Sequence, residues 1–312
     1  MSIRKKLAKL KNENMWLRLL WFYSLAVRAK KSRKLSDEDL IKRNYKFAFG
    51  HEPDLENPKT FYEKLNWMKL HYRNELLPIV CDKYLVHDYI RSKGYGHLLN
   101  DVIGVWDNID TFDEKKLPER FVLKATHASG NGWSLIVKNK KQIKWRPLKK
   151  VMRQWLKQEI EWMGREWHYG EMTPRIICEN YLEDKSGELR DYKFHCFAGE
   201  PKFVNVCIGR FSNHKQFLCF NRNWELLPFT KDALTVGADF QLEKPENLNE
   251  MFNLARELSK EFPYVRVDFY NVNGKIYFGE LTFFDFSGFF SPYTTEAQNT
   301  IGKWLILPEA NK

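Results

Sequence analysis

Apolar positions recur with two periods along this 312-residue chain, and the change from one to the other organises it. At the start, Ile3, Leu7, Leu10, Asn14, Leu17 and Trp21 follow a 4-3-4-3-4 spacing that Arg4, Lys5, Lys6, Lys9 and Lys11 avoid. That pattern predicts a helix with one apolar and one basic face. Capping boxes, Ser36 with Asp39 and Thr60 with Glu63, predict two further helix starts, the second opening Phe61 to Leu70 with Phe61, Leu65, Trp67 and Met68 inward. Another helix is expected from Cys81 to Lys93, stopped by Gly94.

Beyond residue 120 the period shortens toward two. Phe121 to Lys124 and Trp133 to Lys138 read as strands around a Gly-rich turn, followed by a helix over Leu148 to Trp162. Strand-like runs follow at Arg175 to Leu182, Tyr192 to Phe197, Lys202 to Ile208 and Gln216 to Phe220, with a turn at Ala198 to Pro201. A helix near Leu248 to Glu261 precedes a hairpin, Tyr264 to Tyr270 and Lys275 to Phe283, turning at Asn271 to Gly274. The expected class is α+β, with largely antiparallel sheet in the second half. Neither an internal repeat nor a low-complexity linker marks a boundary, and residues 115–120 and 171–175 are the expected breaks.

Composition changes this picture in one respect. The net charge is +11, which by itself suggests a polyanionic partner, but residues 1–34 hold eleven basic side chains and one acid, Glu13. The remaining 278 residues are left near +1, which excludes a nucleic-acid-coating body. The basic amphipathic extension fits either an anionic membrane surface or its own body with a solvated basic face. Met15 to Val27 is shorter than a membrane span and contains Arg18, and the basic block Arg28 to Lys34 argues against a cleaved secretory signal. Five scattered cysteines without close Cys-x-x-Cys pairs fit a reducing cytoplasm better than a zinc or disulfide framework.

Three stretches carry candidate chemistry. In the C-terminal hairpin, Arg266 and Asp268 are two apart and share a face, as do Glu280 and Thr282 in the partner strand. Two carboxylates converging there make a hard-oxygen site suited to Mg²⁺, and an adjacent Arg suits a transferring phosphoryl group. The alternative is an ion-pair network at the surface. Second, Lys124 ends an apolar strand before Ala125-Thr126-His127-Ala128-Ser129-Gly130-Asn131-Gly132. Backbone N–H groups of such a loop can surround anionic oxygens, although an ordinary hairpin turn has the same composition. Third, Glu179 closes the strand Ile176 to Leu182, and Asp191-Tyr192-Lys193 opens the next; Glu179 fits a ribose or adenine contact or a strand-end salt bridge.

In this order the pieces resemble the ATP-grasp superfamily, and within it the TupA-like branch, from about Asn57 to Pro308. The carrying stretches include Asn57-Pro58-Lys59-Thr60-Phe61, Glu63 to Trp67, Asp82-Lys83-Tyr84, the Lys124 segment, Gly164 to Trp167, Glu179 with Tyr181, Asp191 to Phe194, and Arg266 to Thr282. The resemblance implies two α+β subdomains gripping ATP, with a helical N-terminal extension. The expected divisions are residues 1–34, a helical region 35–118 with a Lys83 helix, a small subdomain 119–174 with the flap, and a large sheet subdomain 175–312 with the metal site.

Residue by residue, it implies that Lys83 and Lys124 face the ATP phosphates and that Ser129, Gly130 and Gly132 form the flap. Glu179, with the backbone of Tyr181 and Leu182, would lie beside adenine and ribose. Arg266 would meet the transferred phosphoryl, Lys193 the nucleotide or acceptor, and Asp268 and Glu280 would hold Mg²⁺. Where the superfamily usually has an Asn two residues beyond the metal Glu, this chain has Thr282. The aromatic run Phe283 to Phe290 fits core or an acceptor pocket.

The implied reaction activates a carboxylate with ATP to an acyl phosphate, which an amine attacks to give an amide. The implied substrate is a uronic acid or amino acid on a surface polysaccharide or its lipid-linked precursor, handled in the cytoplasm or at the inner face of its membrane. A glycosyltransferase and a non-catalytic scaffold are the rivals. The former's Asp-x-Asp signature occurs only at Asp37-Glu38-Asp39, which reads as a charged first helical turn.

Overall fold

The computed structural model describes residues 14–130, 132–185, 187, 189–209, 215–237 and 240–310. Its helices are α1 (Met15–Ser32), α2 (Asp37–Phe49), α3 (Phe61–His71), α4 (Leu77–Val80), α5 (Val86–Ser92), α6 (Trp145–Trp155), α7 (Glu161–Gly164), α8 (Leu248–Ser259) and α9 (Thr295–Trp304). Its strands are β1 (Val102–Trp106), β2 (Phe121–Ala125), β3 (Ser134–Val137), β4 (Ile176–Asn180), β5 (Asp191–Phe197), β6 (Glu200–Ile208), β7 (Gln216–Phe220), β8 (Leu226–Leu227), β9 (Tyr264–Val272) and β10 (Lys275–Thr282). They fall into two compact units. The first takes the chain up to Ser36 with Glu75–Tyr89 and Asn100–Tyr181; the second takes Asp37–Asn74, Ile90–Leu99 and Leu182–Lys312. These units interleave along the chain, so the four consecutive divisions expected from the sequence do not coincide with them.

The first unit is a four-stranded antiparallel sheet in the order β1-β4-β2-β3. Alternation gives it two unlike faces. Phe121, Leu123 and Ala125 of β2 and Cys178 of β4 are buried with Leu148, Val151, Met152 and Trp155, which recur at helical spacing along α6. Phe22 and Leu25 of α1 complete this core. The intervening positions of β2 and β4, including Lys124 and Glu179, turn to the other face.

The second unit is a six-stranded antiparallel sheet in the order β10-β9-β5-β6-β7-β8. Phe194, Cys196, Val267 and Phe269 lie on the face covered by α8, where the Phe194 and Phe252 rings meet edge to face at 4.9 Å. Asp191, Lys193 and His195 of β5 and Arg266 and Asp268 of β9 occupy the opposite face. α3 begins with the expected capping box, in which the Thr60 side chain accepts from the Glu63 N–H while the Glu63 carboxylate takes the Thr60 N–H.

Several local expectations are corrected. Lys83 lies in a turn between α4 and α5, not in a helix, because the Asp82 carboxylate accepts the N–H groups of Tyr84 and Leu85 at 2.8 and 3.0 Å and so starts a new helix. The helix expected over Leu148 to Trp162 starts earlier, at Trp145, since Pro147 fits its first turn, and ends at Trp155. β1 and α9 were not foreseen: Gly104 interrupts the alternation of β1, and α9 follows the Thr294 cap. The Asp37-Glu38-Asp39 triplet is the acidic first turn of α2, as expected.

Residues 1–13, where the basic amphipathic pattern begins, lie outside the described residues. Over α1, the buried side chains are Arg18, Phe22, Leu25, Ala29 and Ser32, one position on from the expected Leu17 and Trp21 face. Arg18 causes the rotation. It is buried, and donates from Nε and Nη2 to the Gly132 carbonyl at 3.2 and 2.6 Å and from Nη2 to the Ser134 carbonyl at 2.6 Å. Phe22→Ala should therefore destabilise the protein by about 3–5 kcal/mol, against less than about 0.5 kcal/mol for exposed Tyr23→Ala. Equal losses in urea unfolding would contradict this assignment of faces.

Candidate active site

In the first unit, Lys124 and Glu179 form a salt bridge diagonally across β2 and β4, with Glu179 opposite Val122 and Lys124 opposite Ile177. Lys83 is tied to the segment that follows β2: its N–H donates to the Thr126 carbonyl at 3.1 Å and its Nζ to the Ala128 carbonyl. Ser129 and Gly130 are exposed, and Gly130 has a φ of 82°. Gly132 (φ 115°) instead anchors the end of the loop, its carbonyl accepting from Arg18 and from Trp155 Nε1 at 2.9 Å. The Tyr181 ring faces the Arg120 guanidinium at 5.3 Å and the Lys138 ammonium at 5.7 Å. Leu182 is half-buried and begins the third segment of the second unit.

Around Lys83, the side chains of Asp82, Thr126 and His127 are buried. Among the described residues, Asp82 Oδ2, Thr126 Oγ1 and His127 Nδ1 are left without hydrogen-bond partners. His127 donates from Nε2 to the Trp155 carbonyl, 3.1 Å away, which fixes its neutral tautomer. Burial first, and the Lys83 charge second, push its pKa down to about 4. The Lys83 and Lys124 ammonium groups and Gly130 at positive φ can meet anionic oxygens such as those of a phosphate, whereas Asp82 Oδ2 and His127 Nδ1 are acceptors and cannot.

The second unit gathers the other candidates into one network. Across the sheet, Glu280 is opposite Asp268 and Asp268 opposite Lys193; one step along, Thr282 is opposite Arg266 and Arg266 opposite His195. Arg266 grips Asp268 with two parallel bonds, Nε to Oδ1 at 2.7 Å and Nη2 to Oδ2 at 2.8 Å. Its Nη2 also reaches Glu280 Oε1 at 3.1 Å and Thr282 Oγ1 at 3.2 Å. Lys193 Nζ lies 2.6 Å from Asp191 and 2.5 Å from Asp268.

This shared face depends on a bulge. From the Asn273-Gly274 turn, β10 pairs regularly as far as Phe278 with Phe269, but the register then slips by one at Gly279. Without the slip, Glu280 would oppose the inward-facing Val267. A Cβ on Gly279 would lie 2.9 Å from the Asp268 carbonyl oxygen, closer than ordinary packing allows.

Sequence reasoning missed Asp285. It is buried and takes the remaining arm of Arg266, Nη1 to Oδ1. Its turn is strained, with φ of 48° at Phe286 and 54° at Ser287. α3 holds that turn in place: Tyr62 Oη donates to Asp285 at 3.5 Å, Asn66 Nδ2 to the Gly288 carbonyl at 2.9 Å, and Lys69 Nζ to the Ser287 carbonyl at 2.6 Å. The 62, 66, 69 spacing of polar side chains along one face of α3 was the available signal.

Burial disfavours charge on Arg266, yet Asp268 and Asp285 outweigh it and hold its pKa well above the ordinary guanidinium value. Lys193 is raised in the same way by Asp191 and Asp268, against the cost of burial. Burial lifts Asp268 to about 6, although Arg266 and Lys193 pull it down. Among the described residues, four carboxylates (Asp191, Asp268, Glu280, Asp285) are tied by ion pairs to Arg266 and Lys193. No three carboxylate, imidazole or thiol groups among the described residues form a complete metal cage. Mg²⁺ needs none, since it keeps waters and takes phosphate oxygens beside one or two carboxylates. Asp268, Glu280 and Thr282 are an oxygen set that fits it.

The chain belongs to the TupA-like ATP-grasp family, which it matches over residues 63–306. Comparison with curated protein sequences yields no match. Among solved structures, it is similar to the D-alanine–D-alanine ligase of Bacillus anthracis at 17% identity and a TM-score of 0.42, covering 72% of this chain and 63% of that one. The corresponding enzyme of Helicobacter pylori shows 14% identity and a TM-score of 0.42, over 79% of this chain and 69% of that one. This chain therefore spans less than two thirds of the length of the Bacillus enzyme.

Two outcomes follow from this geometry. Gly279→Ala should cost about 1–3 kcal/mol through overpacking at the bulge, and a melting temperature equal to wild type would refute the close approach. For His127, the unfolded pKa is near 6.5 and the folded value about 4, so stability is lost as pH falls through that window. The stability difference between wild type and His127→Gln should change by about 1.4 kcal/mol per pH unit below 6.5, against wild type. A difference independent of pH would show that the imidazole is not held neutral.

Proposed function

We propose that this protein is an ATP- and Mg²⁺-dependent carboxylate–amine ligase that joins its substrates through an acyl phosphate and releases ADP. Family membership supports the class, and the observation that carries the reading is the buried Arg266 network, which gathers Asp268, Glu280 and Asp285 on one face. In this reading Lys83, Lys124 and the Ser129–Gly130 loop bind phosphates, and Glu179 with the Tyr181 and Leu182 backbone receives adenine and ribose. Asp268 and Glu280, helped by Thr282, hold the metal. Bound Mg²⁺-nucleotide supplies an electrophilic phosphoryl group whose charge the metal partly neutralises.

The chain's own residues supply position and charge. Arg266 is held in place by Asp268, Glu280 and Asp285, and in this reading its guanidinium would meet the developing phosphoryl charge. Lys193 stays protonated and screens the carboxylates on which the arrangement depends. No side-chain nucleophile is required. The acid and amine would belong to a uronic acid or amino acid of a bacterial surface polysaccharide or its lipid-linked precursor. The glycosyltransferase alternative loses its one signature, because Asp37 to Asp39 forms an ordinary helical first turn.

With Mg²⁺, ATP and a panel of acids and amines, the purified protein should release ADP only when both substrates are supplied. Asp268→Asn and Glu280→Gln should each lower that turnover by about 100-fold or more, in the range expected for lost electrostatic stabilisation. Full turnover in both variants would remove the site assignment. Thermal stabilisation by a sugar nucleotide and none by ATP would replace the ligase with a glycosyltransferase, and stabilisation by neither would indicate a scaffold.

A further inference from the structure

α1 keeps an apolar stripe on its outer side that the core does not use. Trp16, Leu20, Tyr23 and Val27 recur at 4-3-4 spacing and are each more than half exposed, Leu20 at 63%. The same line continues into Lys30 and Lys34, with Arg28, Lys31 and Arg33 beside it, all exposed. A second stripe runs along α6, which packs against α1. Its exposed positions Arg146, Lys150 and Arg153, followed by Lys157 just past the helix, recur at 4-3-4 spacing and are all cationic. The two stripes meet where the Lys150 ammonium lies 5.1 Å from the centre of the Trp16 ring. Acids also touch this surface: Asp110 pairs with Arg153 of the row itself at 2.6 Å, Glu114 with the neighbouring Lys149 at 2.6 Å, and Glu159 with Arg33.

We infer that α1 and α6 together form a docking surface for an anionic phospholipid membrane, with Trp16, Leu20, Tyr23 and Val27 entering the interface and the α6 cations resting on lipid phosphates. Charge complementarity selects this occupant. A partner protein or a second copy of this chain would have to bring acids to match a cationic row on one side and an apolar row on the other. A leaflet of anionic headgroups over acyl chains presents both along its whole plane. Trp and Tyr suit the boundary because their rings are apolar with a polar edge. Residues 1–13 add five basic side chains and one acid to the same end of the chain. No described helix is long and apolar enough to cross a membrane, so the mode is attachment in the interface plane. The inference is independent of the ligase reading.

Full-length protein should co-sediment with vesicles of mixed phosphatidylglycerol and phosphatidylcholine and not with phosphatidylcholine alone, and salt of about 0.5 M should release most of it. The combined Trp16→Ser, Leu20→Ser and Tyr23→Ser variant should bind about tenfold or more weakly, as should Arg146→Glu with Lys150→Glu, both with the thermal melt of wild type. If the triple variant melts early, Leu20→Ser alone carries the apolar test. Equal binding to both vesicle types, or full binding by the apolar variants, would overturn the inference. So would dimerisation through the stripe in sedimentation velocity without vesicle binding. If retained vesicle binding disappears only when residues 1–13 are removed, the extension alone is the anchor and the α1–α6 surface is refuted.

Discussion

The constraint on which the second unit depends is the burial of one guanidinium. Removing an arginine from water costs several kcal/mol unless carboxylates and hydrogen-bond acceptors meet it on its own geometry. Here the acceptors come from three places in the chain: Asp268 on the same strand, Glu280 and Thr282 on the next, and Asp285 in the turn beyond. The slip at Gly279 delivers the second group, and a left-handed turn at Phe286 and Ser287 delivers the third. The polar face of α3, Tyr62, Asn66 and Lys69, holds that turn and extends the same support outward. Each irregularity in this part of the chain thus acts on the position of Arg266.

Both units solve the same problem with a two-residue period. An antiparallel sheet has one face under helices and one face available for polar groups, and strict alternation lets neighbouring residues differ completely in environment. Cys178 of β4 is core while Glu179 pairs with Lys124; Phe194 and Val267 pack under α8 while Lys193, Arg266 and Asp268 form the charged row. Packing energy and site geometry are therefore set by the same strands, and a shift of one residue would exchange them.

That division explains what could be read from the chain. The pairing of Arg266 with Asp268 and of Glu280 with Thr282 follows from alternation within each strand, and the Thr60–Glu63 cap from local hydrogen-bond chemistry. That the two pairs share one face does not follow, because it depends on the bulge, whose reason is a close approach to the Asp268 carbonyl. Asp285 sits in no periodic element, so only its tertiary partner reveals it. Arg18 was legible only as a charge interrupting an apolar run. Its acceptors are carbonyls more than a hundred residues away, and they turn α1 one position from the face that hydrophobicity alone selects. Lys83 was placed in a helix because the pattern around it permits one, whereas Asp82 caps a new one.

Burial works against every charge in this network. A cluster kept for stability is best when each buried charge is cancelled, since any remainder carries its desolvation cost unpaid by an opposite charge. Here, among the described residues, Asp191, Asp268, Glu280 and Asp285 are tied to Arg266 and Lys193 by ion pairs. Burial lifts Asp268 to about 6 and raises Asp285, against the pull of Arg266 and Lys193. Glu280, at 31% the most exposed acid of the bonded row, is the one that solvent reaches. The strands and the turn thus gather acids about a fixed guanidinium whose burial they offset, and leave one of those acids toward the surface.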